Sequence, residues 1–331
     1  MSKYKFIKKI YQRITLVLKM KYPNVFIIIV NWNGKRLLKN CLDSVFKQTY
    51  PNYEVILVDN GSTDGSVKFV EEVYAPEIKD GVLKIIVNDK NYGFAKGNNI
   101  GIVKALEDTK TKYVVTLNND VIVRDDWLKR LIEKAQQGYD IVSSTIYFMN
   151  GRLNSVGAVL SINGLIYSRK PGEKTVLGGG ASAAYSREVF ENVGFFDEDF
   201  FCYNEETDLA IRAFLKNYRS GLAEKSIVWH HWGASSSEDF KVYHGHRNSV
   251  WCIVKNFPTQ SLIKYSLFIM LAQLASIVLW IIRGKGKLIM KAKIDAIKGL
   301  KKMLKKRGKI QKEKSISSKE FNSLLINRWT N

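Results

Sequence analysis

At 331 residues the chain is long enough to bury a sizeable core, and one large domain with appendages is expected. Hydrophobic residues make up 46% and aromatics 12%, a globular composition that argues against both a disordered chain and a multi-span membrane protein. Lys and Arg number 52 against 31 Asp and Glu, a formal net charge of +21, and three scattered cysteines with no C-x-x-C pair argue against a disulfide framework or a zinc ribbon and fit a reducing cytosolic setting.

The first 21 residues carry seven basic side chains and no acid, with apolar positions interleaved among the lysines and no small-residue cleavage site after them. That pattern reads as a basic amphipathic segment over 1–22, not a signal peptide. "VFIIIV" (25–30) is then a buried-strand run, "KRLLKNCLDSVFKQ" has helical apolar spacing, and "YEVILVD" is a second strand, which makes a βαβ unit. "GSVKFVEEVY", "LKIIV", "FAKGNNIGIVKAL" and "YVVTL" continue the alternation. An α/β fold follows, with a mostly parallel central sheet and helices on both faces. Beyond residue 140 the rhythm weakens into Gly-rich stretches, including "LGGGASAAYS" (177–186), and this half is expected to shape an acceptor site with Gly179 and Gly180 in it.

"YSLFIMLAQLASIVLWII" (265–282) is an 18-residue run without charge, at the lower limit for a membrane span. Fourteen basic side chains follow over residues 283–314, against Asp295 and Glu313. A span would put either the body or this basic stretch outside, against the positive-inside tendency. A helix lying in the inner leaflet is therefore expected, with a helix packed in the core as the plainer alternative.

Ligands of open α/β sheets bind beyond the strand C-termini. Three strand ends carry polar groups there: Asn31 and Asn33, Asp59 and Asp64, Asn118 and Asp120. Asp59 suits a pyrimidine N–H or a ribose hydroxyl, whereas Asp64 reads as the N-cap of the next helix. "NDKNYGFAKGNNIG" gathers Asn91, Gly93, Gly97, Asn98 and Asn99 at a helix start, where backbone N–H groups suit polar or anionic groups. Neither G-x-G-x-x-G nor a P-loop motif occurs, which disfavours hydride transfer and P-loop chemistry. Glu205, Glu206 and Asp208 cluster in a first helical turn, a position that the helix dipole also favours. All four histidines fall within residues 230–246, a grouping that points to a metal or phosphate role.

Taken in order, "VFIIIVNWNG", "VDNGSTDGS", "NYGFAKGNNIGI", "LNNDV", "GFFDEDFFCYNEETDLAIRA" and "HHWGASS" closely resemble the family-2 glycosyltransferases of GT-A fold, especially a rhamnosyltransferase-like branch. The resemblance covers about residues 24–257. It implies an inverting transfer of one sugar from a UDP-, dTDP- or GDP-sugar to a hydroxyl of a glycan or lipid-linked glycan. It also implies a divalent metal, Mn²⁺ or Mg²⁺, on Asp120 and His230. Donor contacts fall on Asn31, Asn33, Asp59, Asn91, Gly97, Asn98 and Asn118, and acceptor contacts on Gly179, Gly180 and Trp232. Glu206 is the base, with Glu205 orienting the site and Asp208 binding acceptor or capping the helix.

The sequence departs from the acidic metal pattern at "NND", and Glu206 stands where many members have Asp. The expected division is 23–123 for the nucleotide half, 124–257 for the acceptor half and 258–331 for an apolar helix with a basic tail. The expected location is the cytoplasmic face of the cell membrane, peripheral or monotopic, against an anionic surface. A nucleic-acid-binding module is disfavoured because residues 283–314 contain no aromatic side chain. A sugar-nucleotide pyrophosphorylase would need a Gly-rich basic turn after its first strand, which "NWNGKR" does not supply. A processive synthase would carry Q-x-x-R-W and several spans.

Overall fold

The computed structural model describes residues 22–170, 173, 177–231, 233 and 237–329. The N-terminal basic segment, apart from Tyr22, and Trp232 lie outside the described residues. Strands β1 (Asn24–Asn31), β2 (Tyr53–Asp59), β3 (Leu83–Val87) and β4 (Thr111–Asn118) run parallel in the order β3-β2-β1-β4. They are joined through helices α1 (Lys35–Val45), α2 (Ser66–Val73), α3 (Ala75–Lys79) and α4 (Gly93–Leu106). This is the half whose apolar runs were continuous enough to read directly.

The second half completes the sheet less regularly. It contains β5 (Val121–Val123), α5 (Trp127–Ala135), β6 (Ile141–Phe148), β7 (Leu153–Ser155), β8 (Ala158–Ser161), β9 (Ile166–Ser168), β10 (Ser182–Ser186), α6 (Arg187–Asn192), α7 (Glu205–Leu215) and β11 (Ser220–His230). Beyond β4 the order continues β10-β6-β11-β5, with β7 also paired to β6. β10 is antiparallel to both its neighbours, whereas β11 runs parallel to β6. The sheet is thus mostly parallel with an antiparallel strand inserted at its centre.

Period-2 alternation sends the two faces of β1 and β2 into separate cores. Ile28, Ile56 and Val58 meet Ala95, Ile102 and Ala105 of α4 on one side. Ile27, Ile29, Val55 and Leu57 meet Leu38 and Leu42 of α1 and Trp127 of α5 on the other. α4 sits close to the sheet because it presents glycines: a Cβ on Gly101 would lie 2.5 Å from Ile28 Cγ2, and one on Gly97 would lie 2.8 Å from Val30 Cγ1.

Residues past β11 form α8 (Glu238–Asn256), α9 (Thr259–Ile282), α10 (Gly286–Lys298), α11 (Leu300–Glu313), α12 (Ser318–Leu324) and β12 (Leu325–Ile326). The expectation of a basic tail is corrected here. α10 and α11 fold back on α8, and Ile289, Ala292, Ala296 and Met303 are fully buried. Phe321 of α12 packs edge-on against Phe257 at 5.1 Å, and β12 pairs with β8 in a second, three-stranded sheet. Lysines dominate the composition of this stretch, but small and apolar residues at i, i+3 and i+7 give α10 a face to bury.

Gly101→Ala should overpack the α4–β1 contact. Equilibrium urea unfolding is expected to show a loss of about 1–3 kcal/mol with an unchanged m-value.

Candidate active site

At the C-terminal rim of the sheet, the Asn31 amide donates to Asp59 Oδ1 (2.9 Å) and Ser62 Oγ (3.2 Å), and its oxygen accepts from Asn119 Nδ2 (2.8 Å). One side chain therefore ties the ends of β1, β2 and β4. Asp59 also accepts from the Ser62 hydroxyl (2.6 Å) and N–H (2.8 Å), so its carboxylate holds the loop after β2. Asn33 accepts from the Thr63 N–H (2.8 Å) and clamps the same loop. Gly34 is required by this arrangement, since a Cβ there would lie 2.5 Å from Asn31 Oδ1.

Asn119 and Ser62 were missed in the sequence. "NND" drew attention to Asn118 and Asp120, yet β4 ends at Asn118 and the chain turns, which points Asn119 inward at 8% exposure. Asp64 differs from expectation by one residue: Gly65 is the N-cap of α2, and Asp64 accepts from the N–H groups of Ser66 and of Lys35 in α1.

Asn91 accepts from the Gly93 N–H (2.8 Å) at the start of α4. Asn98 is buried and donates to the Phe94 carbonyl (2.9 Å) within the helix, and Gly97 faces Val30. The structure gives Gly97 and Asn98 packing roles inside α4.

Asp120 and His230, 110 residues apart, come together with Asp120 Oδ1 3.0 Å from His230 Nε2. The pairing has a backbone cause: β11 pairs with β5 so that His230 stands opposite Val121, and the His231 N–H donates to the Asp120 carbonyl (2.9 Å). A carboxylate oxygen and an imidazole nitrogen suit Mn²⁺ or Mg²⁺ when oxygens from a bound ligand complete the shell. Among the described residues no group of three or more His, Cys, Asp and Glu gathers, so these two are the protein's share. The four-histidine grouping is corrected accordingly. His244 stacks on Phe201 at 5.4 Å and His246 accepts from Trp280 Nε1, both in α8. Burial, followed by a neighbouring cation, lowers each to about 4, so both are neutral packing groups.

Glu205 and Glu206 open α7 after a strained loop in which Phe201, Tyr203 and Asn204 have φ of 64°, 70° and 70°. Buried Asn248 of α8 holds that loop by donating to the carbonyls of Phe200, Cys202 and Tyr203. No pattern in the residues marks it. Glu205 is 1% exposed, whereas Glu206 is partly buried. The two carboxyls share a hydrogen bond. Burial and then the adjacent Glu206 charge push Glu205 well above the usual carboxylate range. Burial also raises Glu206, but backbone N–H groups, including that of Gly180, oppose the rise. Both carboxyls are thus held above the usual carboxylate range, Glu205 the further of the two. A Cβ on Gly179 (φ 137°) would lie 2.8 Å from Glu206 Cβ, so Gly179 and Gly180 cradle this carboxylate. Because the Asn118 N–H donates to the Ala181 carbonyl (2.9 Å), the cradle continues directly from the rim that bears Asp120.

The sequence profile described as Glycosyl transferase family 2 matches residues 26–194, half of the chain. The chain belongs to glycosyltransferase family 2. It is 29% identical over 124 residues to glycosyltransferase GlyG of Streptococcus pneumoniae, covering 37% of this chain and 39% of that protein. It is 25% identical over 225 residues to the low-salt glycan biosynthesis hexosyltransferase Agl10 of Haloferax volcanii, covering 64% of this chain and 68% of that protein. The chain thus spans well under half the length of some curated relatives. Its fold matches the mannosyltransferase PcManGT of Pyrobaculum calidifontis in complex with GDP-Man and Mn²⁺, at TM-score 0.55 and 17% identity over 87% of this chain and 85% of that one. The architecture is the GT-A type.

Against the family expectation stands Asp208. It is fully buried, accepts from Arg212 Nε (2.9 Å) and Asn256 Nδ2 (2.8 Å), and pairs with Lys255 Nζ (2.8 Å). Burial opposes its ionisation, but Lys255 and then Arg212 outweigh that and hold the carboxyl below its usual value. The expected acceptor or capping role is corrected: Asp208 neutralises two buried cations and does not face the rim. Asp208→Asn should strip buried Arg212 of its carboxylate partner and leave Lys255 to Asp197 alone, at a cost of about 3–5 kcal/mol in chemical unfolding.

Proposed function

We propose that this chain transfers a single sugar from a nucleoside-diphosphate sugar to a hydroxyl of a glycan or lipid-linked glycan, with inversion, at the cytoplasmic face of a membrane. One observation carries the reading. A partly buried carboxylate, Glu206, and the Asp120–His230 pair lie along one rim, linked by the Asn118–Ala181 hydrogen bond. The GDP-Man and Mn²⁺ bound by PcManGT support a donor of the same class.

The rim loops fixed by Asn31, Asp59 and Asn33 shape the nucleotide end of the site, and Asn118 lies beside it. The acceptor oxygen attacks the anomeric carbon from the face opposite the diphosphate. As that C–O bond forms, Glu206 takes the hydroxyl proton, and the bond to the diphosphate oxygen breaks with its electron pair leaving on the diphosphate. One displacement inverts the centre. Asp120 and His230 would hold the divalent ion, which when bound offsets the charge growing on the leaving diphosphate. Glu205, held further above the usual carboxylate range than Glu206, keeps its proton to higher pH and orients the site beside the base, while Gly179 packs against the Glu206 side chain.

Asp120→Ala is expected to abolish Mn²⁺-dependent binding of nucleoside diphosphate in calorimetry while leaving the unfolding midpoint near that of the parent. Undiminished affinity would refute the metal assignment.

Glu206→Gln keeps shape but cannot accept the proton, so turnover should fall roughly a hundredfold or more with donor affinity nearly unchanged. Because only ionised Glu206 serves as base and its value is raised, the parent's kcat should climb with pH through a limb above the usual carboxylate range. A limb at or below that range would move the base elsewhere.

A further inference from the structure

Among the described residues, α9 alone is long and apolar enough to cross a membrane, with 24 residues and an 18-residue stretch of mean hydropathy 2.1. Its length, about 36 Å at helical rise, would suffice. Its contacts prevent it. At the first residue, Thr259 Oγ1 accepts from Arg307 Nη2 (2.9 Å). Midway, Gln273 Oε1 accepts from Lys293 Nζ (2.5 Å), and Ala272 and Ser276 are buried. Near the far end Trp280 Nε1 donates to His246 Nε2 (2.6 Å), and just past it Lys285 pairs with Glu238 and Asp239. One stripe of α9 is therefore docked on α8 and α10 along the whole helix. Peeling it into a transbilayer orientation would strip partners from buried Lys293 and partly buried His246.

The opposite stripe is bare. Ile263, Leu267, Leu274, Val278 and Ile282 are 52–77% exposed. α10 extends the same character: Met290, Ile294 and Ile297, at i, i+4 and i+7, face away from its buried Ile289–Ala292–Ala296 side. Exposed Arg283, Lys287, Lys291, Lys301 and Lys305 accompany the apolar stripe.

We propose that α9 and the outer stripe of α10 together form an in-plane membrane-embedding surface, seated in one leaflet of an anionic bilayer with α9 parallel to the membrane. The charge identifies the occupant. Two copies meeting through so basic a face would repel each other, whereas anionic headgroups neutralise it and the lysine stems snorkel past the apolar stripe. The inference deepens the lipid-linked acceptor reading. Binding is measured without donor or acceptor, so a failure of the surface and a failure of the transferase assignment show in different assays.

The full chain is floated with phosphatidylglycerol–phosphatidylcholine vesicles and with phosphatidylcholine alone, at low and high salt. Flotation with the anionic vesicles, weakened by salt, is expected. The double variant Ile294→Glu, Ile297→Glu alters only exposed positions and should lower vesicle affinity roughly tenfold, because α10 lies at the bilayer. Unchanged affinity would overturn the composite surface and leave α9 to act alone. Nitroxides on Ile263→Cys, Leu274→Cys and Ile282→Cys read the orientation directly. Equal shallow depths support the proposal, whereas a profile deepest at residue 274 with both ends near water means a span and overturns it. A stable dimer that sediments without lipid and does not float would give the face to a second copy and overturn it as well.

Discussion

One amide, that of Asn31, bonds in two directions at the end of β1, and the rim depends on it. Toward β2 it donates to Asp59, and toward β4 it accepts from Asn119, so three parallel strands end at a common level through one side chain. A carboxylate here would repel Asp59, and an aliphatic residue would leave both buried neighbours without their partner. The adjoining glycine follows from the same geometry, because any side chain at position 34 would occupy the place of the Asn31–Asn119 bond. "NWNG" is thus a structural statement about strand ends before it is a statement about a ligand. The loop it secures, running through Ser62 and Thr63, is then held well enough to meet a nucleotide.

The antiparallel strand β10 explains how a carboxylate from the second half reaches this rim. A strand of small residues inserted between β4 and β6 lets its preceding glycines emerge beside the end of β4. There Gly179 and Gly180 leave just enough room for Glu206. The same glycines had been read as acceptor contacts because a Gly-rich stretch advertises close approach without saying to what. The close approach in this fold is of Gly179 to Glu206.

Legibility in the sequence followed continuity. β1 to β4 were readable as unbroken apolar runs, and the polar residues closing them could be placed at a rim by the general rule for parallel sheets. The sequence order of the motifs also singled out Asp120 and His230, which the structure brings to 3.0 Å. β10 escaped notice because Ser, Ala and Tyr between glycines carry no strand period, although every residue of it is buried. Asn119 and Asn248 escaped because their work is done on backbone and amide groups that no pattern marks. Asp208 was misread for a different reason. Its partners Lys255 and Asn256 lie almost fifty residues away, so a carboxylate in a first helical turn looked available when it was already enclosed.

That enclosure connects the two ends of the molecule. Lys255 lies between Asp208 and Asp197, within 2.8 Å and 2.5 Å of their carboxylates, and Lys306 of α11 pairs with both Asp197 and Asp199. Lys302 of α11 joins Asp199 at 2.5 Å. The chain of alternating charges runs from the basic C-terminal helices, through the segment before α7, to the turn that carries Glu206. Burial makes the Lys255 links to Asp197 and Asp208 expensive to break singly, since removal of one charge strands its neighbours in a medium that cannot solvate them. Apolar contacts alone would let α11 slide on α8 with little penalty, whereas fixed ion pairs specify one register. The C-terminal helices therefore do more than offer a surface: their lysines help hold the segment that leads into α7, and so the position of Glu206.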